Sequence, residues 1–370
     1  MSLEGPVLVV EPYLGGSHQA WVEGLRDHLG VQVEVLGLPA RWWKWRMHGA
    51  AVTLAERCAD LDHRPEVVIA SDMLDLAAFR AFARPHLGDV PMVLYFHESQ
   101  LTYPDSPLME PDLTYAFKNW TSALAADRIL FNSAYHLEVF FGELPKLLRH
   151  FPDFTHEHLV DRVRDRSEVV EVGVDLSWIP DRLPRRRGPL RIVWNHRWEH
   201  DKDPAAFFAA VDALADEGHD FDLVVCGENH RQEPEEFLAA ARRHQSRLVH
   251  MGFLERGEYR KQLLGSDVVV STALQEFFGI SVVEAMAAGC FPVLPRRLSY
   301  PGLLPEAWHD VCLYEEGNLT EHLRKAVGDP EAARTAGAEI SSAMQRFSWE
   351  RMAPVYRQAL ERATAAGSAL

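Results

Sequence analysis

The amino-acid sequence predicts an α/β protein composed of two Rossmann-like domains that face each other across a cleft. At 370 residues the chain is too long for one compact core and suits two domains. Short β-rich runs recur in two successive sets, with helical patterns between them. Near-continuous apolar strands that alternate with helices are typical of parallel sheets buried on both faces, so two sets indicate two sheets.

The predicted strands divide evenly between the two halves of the chain. Those of the first half are VLVV (7–10), VQVEVL (31–36), VVIA (67–70), MVLYF (92–96), RILF (128–131) and VVEV (169–172). Those of the second half are LRIVW (190–194), FDLVVC (221–226), RLVHM (247–251), DVVVS (267–271), CFPVL (290–294) and VCLY (311–314).

The stretch DLSWIPDRLPRRRGP (175–189) separates the two sets and predicts the domain boundary. It is rich in proline and arginine and lacks periodicity, as expected for a solvated linker, although its RLPRRR run also suits a basic patch. We therefore expect domains over residues 1–175 and 190–350, followed by a C-terminal helix and tail over 351–370.

Composition narrows the classes of protein that fit. A formal charge of −16 argues against non-specific coating of nucleic acid but leaves room for a local basic site. No window reaches the ~18 uninterrupted apolar residues of a membrane span. The N-terminus runs directly into the first strand, unlike a signal peptide, and the four cysteines lack C-x-x-C spacing. These features predict a cytoplasmic protein with buried free thiols, and no histidine cluster with metal-ligand spacing appears.

The stretch QEFFGISVVE carries the strongest chemical signal. A predicted strand ends in a loop bearing Glu276, and a helix begins near Gly279. The amides of Phe278, Gly279 and Ile280 would face a diphosphate at the positive end of that helix, and glycine permits close approach. Glu284 is placed to accept both hydroxyls of a ribose, and Glu276 those of a transferred sugar. Two solvated glutamates on a surface helix are the alternative, which leaves their position at a strand-to-helix turn unexplained.

This E-x7-E pattern resembles the retaining, metal-independent GT-B glycosyltransferases of family 4. The resemblance extends to NHRWEHDKDP, where Arg197 and Lys202 match the cations that grip the donor diphosphate in such enzymes. A leaving nucleoside diphosphate gains negative charge as the glycosidic bond breaks, and two cations offset that charge. The resemblance therefore implies a nucleotide-sugar donor, with no cofactor and no metal required. Three D-x-D pairs are a weak signal in so acidic a chain.

Glycine-containing turns after other strands agree with this interpretation. Gly15 and Gly16 follow the first strand and precede a helix, where they would let the backbone approach a phosphate or sugar. A simple tight turn explains them equally well in isolation. Gly227 and Phe253 fall at strand ends where the GT-B fold contacts the nucleotide, and Phe253 is the candidate for the base.

Four stretches of the first half resemble one branch of that family, the tRNA-queuosine mannosyltransferases. They are PYLGGSHQAW, LPARWWKWR, YFHESQLTYP and FNSAYHLEVF, and FHESQLTYP is the most specific. The likeness implies transfer of mannose from GDP-mannose to the cyclopentenediol of queuosine at the wobble position of tRNA-Asp. It implies front-face attack without a protein nucleophile, an N-terminal domain that binds the acceptor and a C-terminal domain that binds the nucleotide sugar.

The segment FHESQ ends the strand MVLYF, where side chains would face the cleft. His97 is placed to contact the donor hexose, although a histidine that merely caps a strand explains it as well. Glu98, Gln100 and Tyr103 would bind acceptor hydroxyls or order their own loop.

The run RWWKWRMHG predicts the start of a helix with one apolar stripe. Trp43 falls on that stripe and is predicted to be core, whereas Trp42 and Trp45 fall off it beside Arg41 and Arg46. Indoles beside cations suit stacking on splayed bases and pairing with phosphates. Packing against a neighbouring loop is the alternative, and a membrane anchor fits poorly with a short run in an acidic protein.

Two other functions stay open on the sequence alone. One is a family 4 hexosyltransferase that acts on a lipid or polysaccharide acceptor. The other is a non-catalytic protein of the same fold that binds tRNA or a nucleotide, since fold does not fix function. The intact set of Arg197, Lys202, Glu276 and Glu284 disfavours a non-enzyme.

Overall fold

The chain folds as two compact units. The computed structural model describes residues 2–102, 112–184, 186–227 and 235–367. The first unit comprises Met1–Asp175 together with Trp349–Leu370, and the second comprises Leu176–Ser348. The C-terminal helix therefore packs within the first unit, although it follows the second unit in the chain.

The described part of the first unit is built on a six-stranded parallel sheet. Its strands are β1 (Val7–Leu14), β2 (Val33–Pro39), β3 (Val67–Ser71), β4 (Met92–Phe96), β5 (Arg128–Phe131) and β6 (Ser167–Val169). They lie in the order β2-β1-β3-β4-β5-β6, and every pair is parallel. The order reverses between β1 and β3, which is the topological switch point where open α/β sheets bind ligands.

Helices cover both faces of this sheet. They are α1 (Gly16–His28), α2 (Trp43–Arg57), α3 (Leu76–Leu87), α4 (Leu113–Ala125), α5 (Ala134–Arg149), α6 (Val160–Arg164) and, at the C-terminus, α15 (Trp349–Gly367). Because crossovers are right-handed, the reversal at β1 puts α1 on one face and α2 to α5 on the other. The fully buried strand β4 lies between these layers.

The C-terminal helix α15 is seated tightly on the first unit, where it packs against α1, β3 and β4. Its first residue, Trp349, presses on two glycines: a Cβ added at Gly24 would lie 1.9 Å from the indole, and one at Gly173 would lie 2.5 Å from it. Farther along, the buried hydroxyl of Tyr356 accepts a hydrogen bond from Trp21 Nε1 at 3.1 Å. Close packing at both places makes α15 an integral layer of this unit.

The second unit contains another six-stranded parallel sheet within its described residues. Its strands are β7 (Leu190–Asn195), β8 (Phe221–Cys226), β9 (Leu248–Gly252), β10 (Val268–Val270), β11 (Phe291–Pro295) and β12 (Leu313–Tyr314). The order is β12-β11-β10-β7-β8-β9, with all pairs parallel. Here the switch point lies between β7 and β10.

The helices of the second unit alternate with its strands as far as β11, after which they come in pairs. They are α7 (Pro204–Asp216), α8 (Glu235–Arg243), α9 (Arg256–Leu264), α10 (Ile280–Ala287), α11 (Tyr300–Leu303), α12 (His309–Cys312), α13 (Leu319–Gly328) and α14 (Pro330–Ala343). The two-sheet α/β architecture predicted from the alternating pattern is present.

Every predicted strand has a counterpart, and nine of the twelve differ from it by one to four residues at one end or both. Two of these differences have a clear physical reason. The strand predicted over 169–172 is Ser167–Val169, because those residues pair with β5. The strand predicted over 311–314 shrinks to Leu313–Tyr314, because His309–Cys312 is helical. A short apolar run fits either a strand or a buried helix, so periodicity does not decide between them.

Two compositional predictions are also answered by the structure. All four cysteines are buried and unpaired, as predicted. Within the described ranges, no helix is both long and apolar enough to cross a bilayer.

Candidate functional site

The second unit places its candidate site at the β7/β10 switch point. The loop after β10 carries Glu276, and α10 begins at Ile280 with Gly279 as its N-cap. Gly279 has a φ of 101°, a left-handed conformation that favours glycine. The helix start predicted near Gly279 is therefore present, and the positive end of the helix follows the carboxyl end of β10.

Lys202 is a buried cation fixed to this loop. It ends a short 3₁₀ turn after β7, and the residue is 7% exposed. Its ammonium donates to Gln275 O at 2.8 Å and lies 3.3 Å from Glu276 Oε2 and 3.1 Å from Asp201 Oδ2. Burial alone would lower the pKa of Lys202, but the charges of Glu276 and Asp201 raise it by more. The pKa of Lys202 is therefore raised above its usual value. The site therefore contains a permanent, preorganised positive charge.

Glu284 is held by two residues that sequence reasoning missed. Tyr259 of α9 donates its hydroxyl to Glu284 Oε2 at 3.2 Å. Asn195, the last residue of β7, donates through Nδ2 to the same hydroxyl at 3.0 Å and to Ser281 O at 2.7 Å. Burial and the charge of Glu284 hold the pKa of Tyr259 well above its usual range, so the phenol stays a donor. This chain of contacts fixes the carboxylate that was predicted to bind a ribose.

The other predicted residues of the second unit lie at its surface or at strand ends. Arg197 is exposed, with its guanidinium 3.5 Å from Glu199 Oε2. Gly227 has a φ of 122°, and a Cβ there would lie 2.0 Å from His196 O, so both conformation and space require glycine. Phe253 is 58% exposed directly after β9. An exposed ring beside a glycine turn is available for stacking on a base.

The first unit gathers four ionisable side chains at the β1/β3 switch point. They are Glu11 of β1, His18 of α1, Asp72 after β3 and His97 after β4. Only His97 was predicted from sequence. The glycine turn predicted before α1 is present, with Gly15 as N-cap and Gly16 at a φ of 54°.

Glu11 and His18 form a buried ion pair. Glu11 is 0% exposed, and its Oε2 lies 3.0 Å from His18 Nδ1. Its Oε1 accepts from the backbone N of Tyr13 at 2.8 Å and from Ser71 Oγ at 3.0 Å. Burial lowers the pKa of His18, but the charge and hydrogen bond of Glu11 outweigh it and raise the pKa to about 9. His18 is thus an imidazolium at neutral pH.

His97 sits beside this pair as a neutral ring. Burial and the nearby charge of His18 hold the pKa of His97 well below its usual range. Its backbone N donates to Asp72 Oδ1 at 2.7 Å. Among the described residues, neither His97 Nε2 nor Asp72 Oδ2 has a hydrogen-bond partner, although both atoms are buried. A ligand or an ordered water molecule at this place would complete the hydrogen bonds of both atoms.

The acceptor segment predicted after β4 is tied to the same cluster. The backbone N of Glu98 donates to Asp72 Oδ1 at 3.3 Å, and Gln100 Nε2 donates to Glu98 Oε1 at 3.1 Å. Gln100 N in turn donates to Asn119 Oδ1 at 3.0 Å. Glu98 and Gln100 are therefore ordered by the fold, while Tyr103 lies outside the described residues.

Most of the atoms in the Glu11–His18 ion pair that could bind a metal ion already take part in hydrogen bonds. Glu11, His18 and His97 each bring one possible ligand atom within 4.8 Å of the others. However, the oxygens of Glu11 already accept from three protein donors, and His18 Nδ1 is one of them. We therefore interpret this group as a hydrogen-bonded ion pair beside a neutral histidine.

The aromatic run at the start of α2 is largely exposed. Trp42 is 72% exposed and adopts a left-handed φ of 50°, and Trp45 is 63% exposed. Arg41 is exposed as well, whereas the Arg46 guanidinium donates to Pro39 O at 3.1 Å and 3.2 Å.

Trp43 differs from its two neighbours because it is half-buried. Its ring lies 5.0 Å from that of Tyr115, and it packs against the cluster that includes Met47. The predicted separation of one packed indole from two outward ones is present, although Trp43 is less deeply buried than a core residue.

Comparisons with known proteins divide the chain close to the boundary between the two units. Residues 6–174 match the family described as tRNA-queuosine alpha-mannosyltransferase N-terminal. Residues 179–338 match the glycosyl transferases group 1. The chain is 34% identical to the tRNA-queuosine alpha-mannosyltransferase of Drosophila melanogaster over 363 residues, which cover 95% of each protein. The chain belongs to the tRNA-queuosine alpha-mannosyltransferase family.

Members of this family are glycosyltransferases, and the fold agrees. Sucrose-phosphate synthase from Thermosynechococcus elongatus superposes with a TM-score of 0.74 at 14% identity, covering 98% of this chain and 99% of that one. Alr3699/HepE from Anabaena, in complex with UDP and glucose, gives a TM-score of 0.66 at 14% identity over 96% and 99%. The GT-B architecture predicted from the sequence is thereby confirmed.

Proposed function

We propose that this protein transfers mannose from GDP-mannose, with retention, to the cyclopentenediol of queuosine at the wobble position of tRNA-Asp. The likeness to a tRNA-queuosine alpha-mannosyltransferase over 95% of each chain supports mannose as the transferred sugar and queuosine tRNA as the acceptor. The structural observation that carries the proposal is Lys202 fixed against the Glu276 loop, because this is the charge that a departing nucleoside diphosphate needs.

The second unit supplies the groups for the donor. Glu284, oriented by Tyr259 and Asn195, accepts the two hydroxyls of the ribose. The first amides of α10 face the diphosphate, and Phe253 stacks on the base. Lys202 and Arg197 neutralise the charge that develops on the diphosphate, so no divalent metal is needed for this step.

The bond changes follow from front-face substitution. The bond between mannose C1 and the diphosphate oxygen breaks, and a bond from C1 to the acceptor oxygen forms on the same face. The acceptor proton passes to the leaving phosphate oxygen, so no protein nucleophile is required. Glu276 and His97 bind hydroxyls of the sugar, which holds C1 in place while the charge moves to the phosphate.

The first unit supplies the groups for the acceptor. Glu98 and Gln100 are held by the Asp72 network and bind the hydroxyls of the cyclopentenediol. The exposed indoles of Trp42 and Trp45 stack on bases of the anticodon arm, and Arg41 and Arg46 pair with its phosphates.

Nucleoside analysis by mass spectrometry tests this proposal directly. Purified protein is incubated with GDP-mannose and tRNA that either carries or lacks queuosine, and the tRNA is then digested to nucleosides. We expect one added hexose on queuosine from tRNA-Asp, and no addition to tRNA without queuosine. Transfer from UDP-glucose in place of GDP-mannose would overturn the donor assignment, and modification of lipid or polysaccharide alone would overturn the acceptor.

A further inference from the structure

The ion pair between Glu11 and His18 has no role in the chemistry described so far. Both residues are buried at the carboxyl edge of the first sheet, where the strand order reverses. A buried ion pair is weak evidence for stability, because removing two charges from water offsets most of their attraction. Its position beside the candidate sugar contact is a better guide to what it does.

His97 is enclosed by three rings, one of which belongs to this pair. The ring centroid of His97 lies 4.3 Å from that of His18 and 4.7 Å from that of Trp21, which meets it edge-on at 88°. Tyr95 lies at 4.7 Å and 64°. The orientation of the imidazole is therefore fixed by packing on His18, whose own ring is fixed by Glu11.

We propose that Glu11 and His18 are positioning residues of the sugar site, whose buried ion pair holds the His97 ring in the orientation that binds the transferred hexose. This inference rests on the role proposed above for His97. A side chain displaced by about 1 Å costs up to ~100-fold in rate, so an enzyme gains from a rigid support behind such a contact.

The charge on His18 gives this support a second effect. An imidazolium 4.3 Å away disfavours a second proton on His97, so the His97 ring stays neutral. A neutral imidazole has one donor and one acceptor nitrogen, which suits a sugar hydroxyl, whereas a protonated ring only donates. Since Glu11 raises the pKa of His18 to about 9, this arrangement persists through neutral pH.

The side chains around His18 identify which groups control its protonation state. Charged or titratable side chains approach it from three strand ends: they are Glu11 of β1, Asp72 after β3, and His97 and Glu98 after β4. Glu11 is the one in direct contact. Replacing Glu11 with an uncharged isostere is therefore the most selective way to remove the proton from His18.

The experiment compares Glu11→Gln and His18→Gln with His97→Ala. A matched control is Glu23→Gln, which removes one carboxylate from α1 outside this cluster. Initial rates with saturating GDP-mannose and queuosine tRNA give kcat, and the KM for each substrate is measured separately. We expect all three site variants to lose about tenfold or more in kcat with an unchanged KM for tRNA, and the control to match the parent protein.

The pH profile separates positioning from a merely structural role. In the parent protein kcat should fall as pH rises past about 9, where His18 loses its proton. In folded Glu11→Gln this alkaline limb should move to lower pH, because the charge that holds the proton is gone. If Glu11→Gln does not fold, His18→Gln, which can still donate to Glu11, tests the same support through kcat.

The outcomes distinguish this inference from the function on which it rests. If His97→Ala retains the parental kcat, the proposed sugar contact is wrong. If His97→Ala loses activity while folded Glu11→Gln and His18→Gln retain both the parental kcat and the parental pH profile, the positioning role alone is overturned.

Discussion

Each switch point of this molecule holds a buried cation beside carboxylates, but the cations differ. In the second unit, the buried Lys202 lies beside Glu276, and the exposed Arg197 adds charge at the surface. In the first unit, the cation is His18, and the fully buried Glu11 neutralises it completely from within. Ammonium and guanidinium groups suit a diphosphate, whereas a site lined by rings suits the hydroxyl groups of a sugar.

The two sites also differ in how their residues are distributed along the chain. The groups of the second unit come mainly from two compact stretches, at 195–204 and 275–284. Those of the first unit come from the ends of three strands and the start of a helix. The second unit lies within the match to the broad glycosyl transferases group 1, whereas the first matches a model particular to one family.

The largest expected effect is the change of stability with pH, to which buried histidines of both units contribute. His136 of the first unit and His196 of the second are both buried, and burial lowers the pKa of each from 6.5 to about 3. A lowered pKa in the folded state gives full stability above pH 6.5 and loses it as pH falls, because the unfolded chain gains protons first. We expect a loss of about 2 kcal/mol per histidine between pH 7.5 and pH 5.

On the alkaline side, the histidine that we expect to respond is His18 of the first unit. The pKa of His18 is raised to about 9, so its contribution is full below pH 6.5 and is lost as pH rises through 9. Urea unfolding at pH 5, 7 and 9 measures the loss of stability on the acid side and on the alkaline side. His136→Phe should reduce the loss of stability at pH 5, and Glu11→Gln should reduce the loss at pH 9. A loss at pH 5 that is unchanged in His136→Phe would contradict the assignment.

Removing the cation or carboxylate of the second site should have the next largest effect. Lys202→Ala or Glu276→Ala should lower kcat about 100-fold or more, because each removes a preorganised contact to the transition state. Lys261→Ala, in an exposed ion pair with Glu258, is the matched control and should keep the parental rate. Near-normal turnover in both site variants, with folding verified by circular dichroism, would refute the donor site.

The cationic run of the first unit should affect binding more than turnover. Arg41→Ala combined with Arg46→Ala should weaken tRNA binding and flatten its salt dependence, by about one log–log unit for each lost phosphate contact. The double variant Arg26→Ala and Arg84→Ala removes the same charge from other exposed positions. Equal salt slopes in the two double variants would mean that RNA binds elsewhere, and GDP-mannose affinity should be unchanged in both.

Metal removal should produce the smallest change. If Lys202 and Arg197 neutralise the leaving group, dialysis against EDTA should leave most transfer activity intact. Strict dependence on added magnesium or manganese would show that the two cations do not suffice. It would direct attention to the pairs Asp60/Asp62, Asp201/Asp203 and Asp220/Asp222.

Sequence reasoning located the parts of the site that are local in the chain. The helix start at Gly279 and the outward indoles of Trp42 and Trp45 follow from turn chemistry and helical periodicity. From the sequence, Lys202 and Glu276 were given separate roles at the same donor, and their direct contact was not predicted. A single sequence does not show which strands are neighbours.

The missed residues are those that depend on strand order. Asn195 reaches Tyr259 and Ser281 because β7 adjoins β10, and the helix of Tyr259 offers no distinguishing motif. Glu11 and Asp72 meet the GGSH histidine and His97 because β1 adjoins β3 and β3 adjoins β4. A polar residue inside an apolar strand, as in VLVVEPYL, was the available signal for Glu11.

The seating of α15 has a consequence for how the protein is made. On the ribosome, Met1–Asp175 emerges first, but Trp349, whose indole fills the space over Gly24 and Gly173, follows only after the whole second unit. At about 5–20 residues per second, that interval lasts on the order of ten seconds or more. Until then, the nascent first domain lacks the layer that covers Trp21 and Tyr95, so its folding is completed only after α15 has left the ribosome.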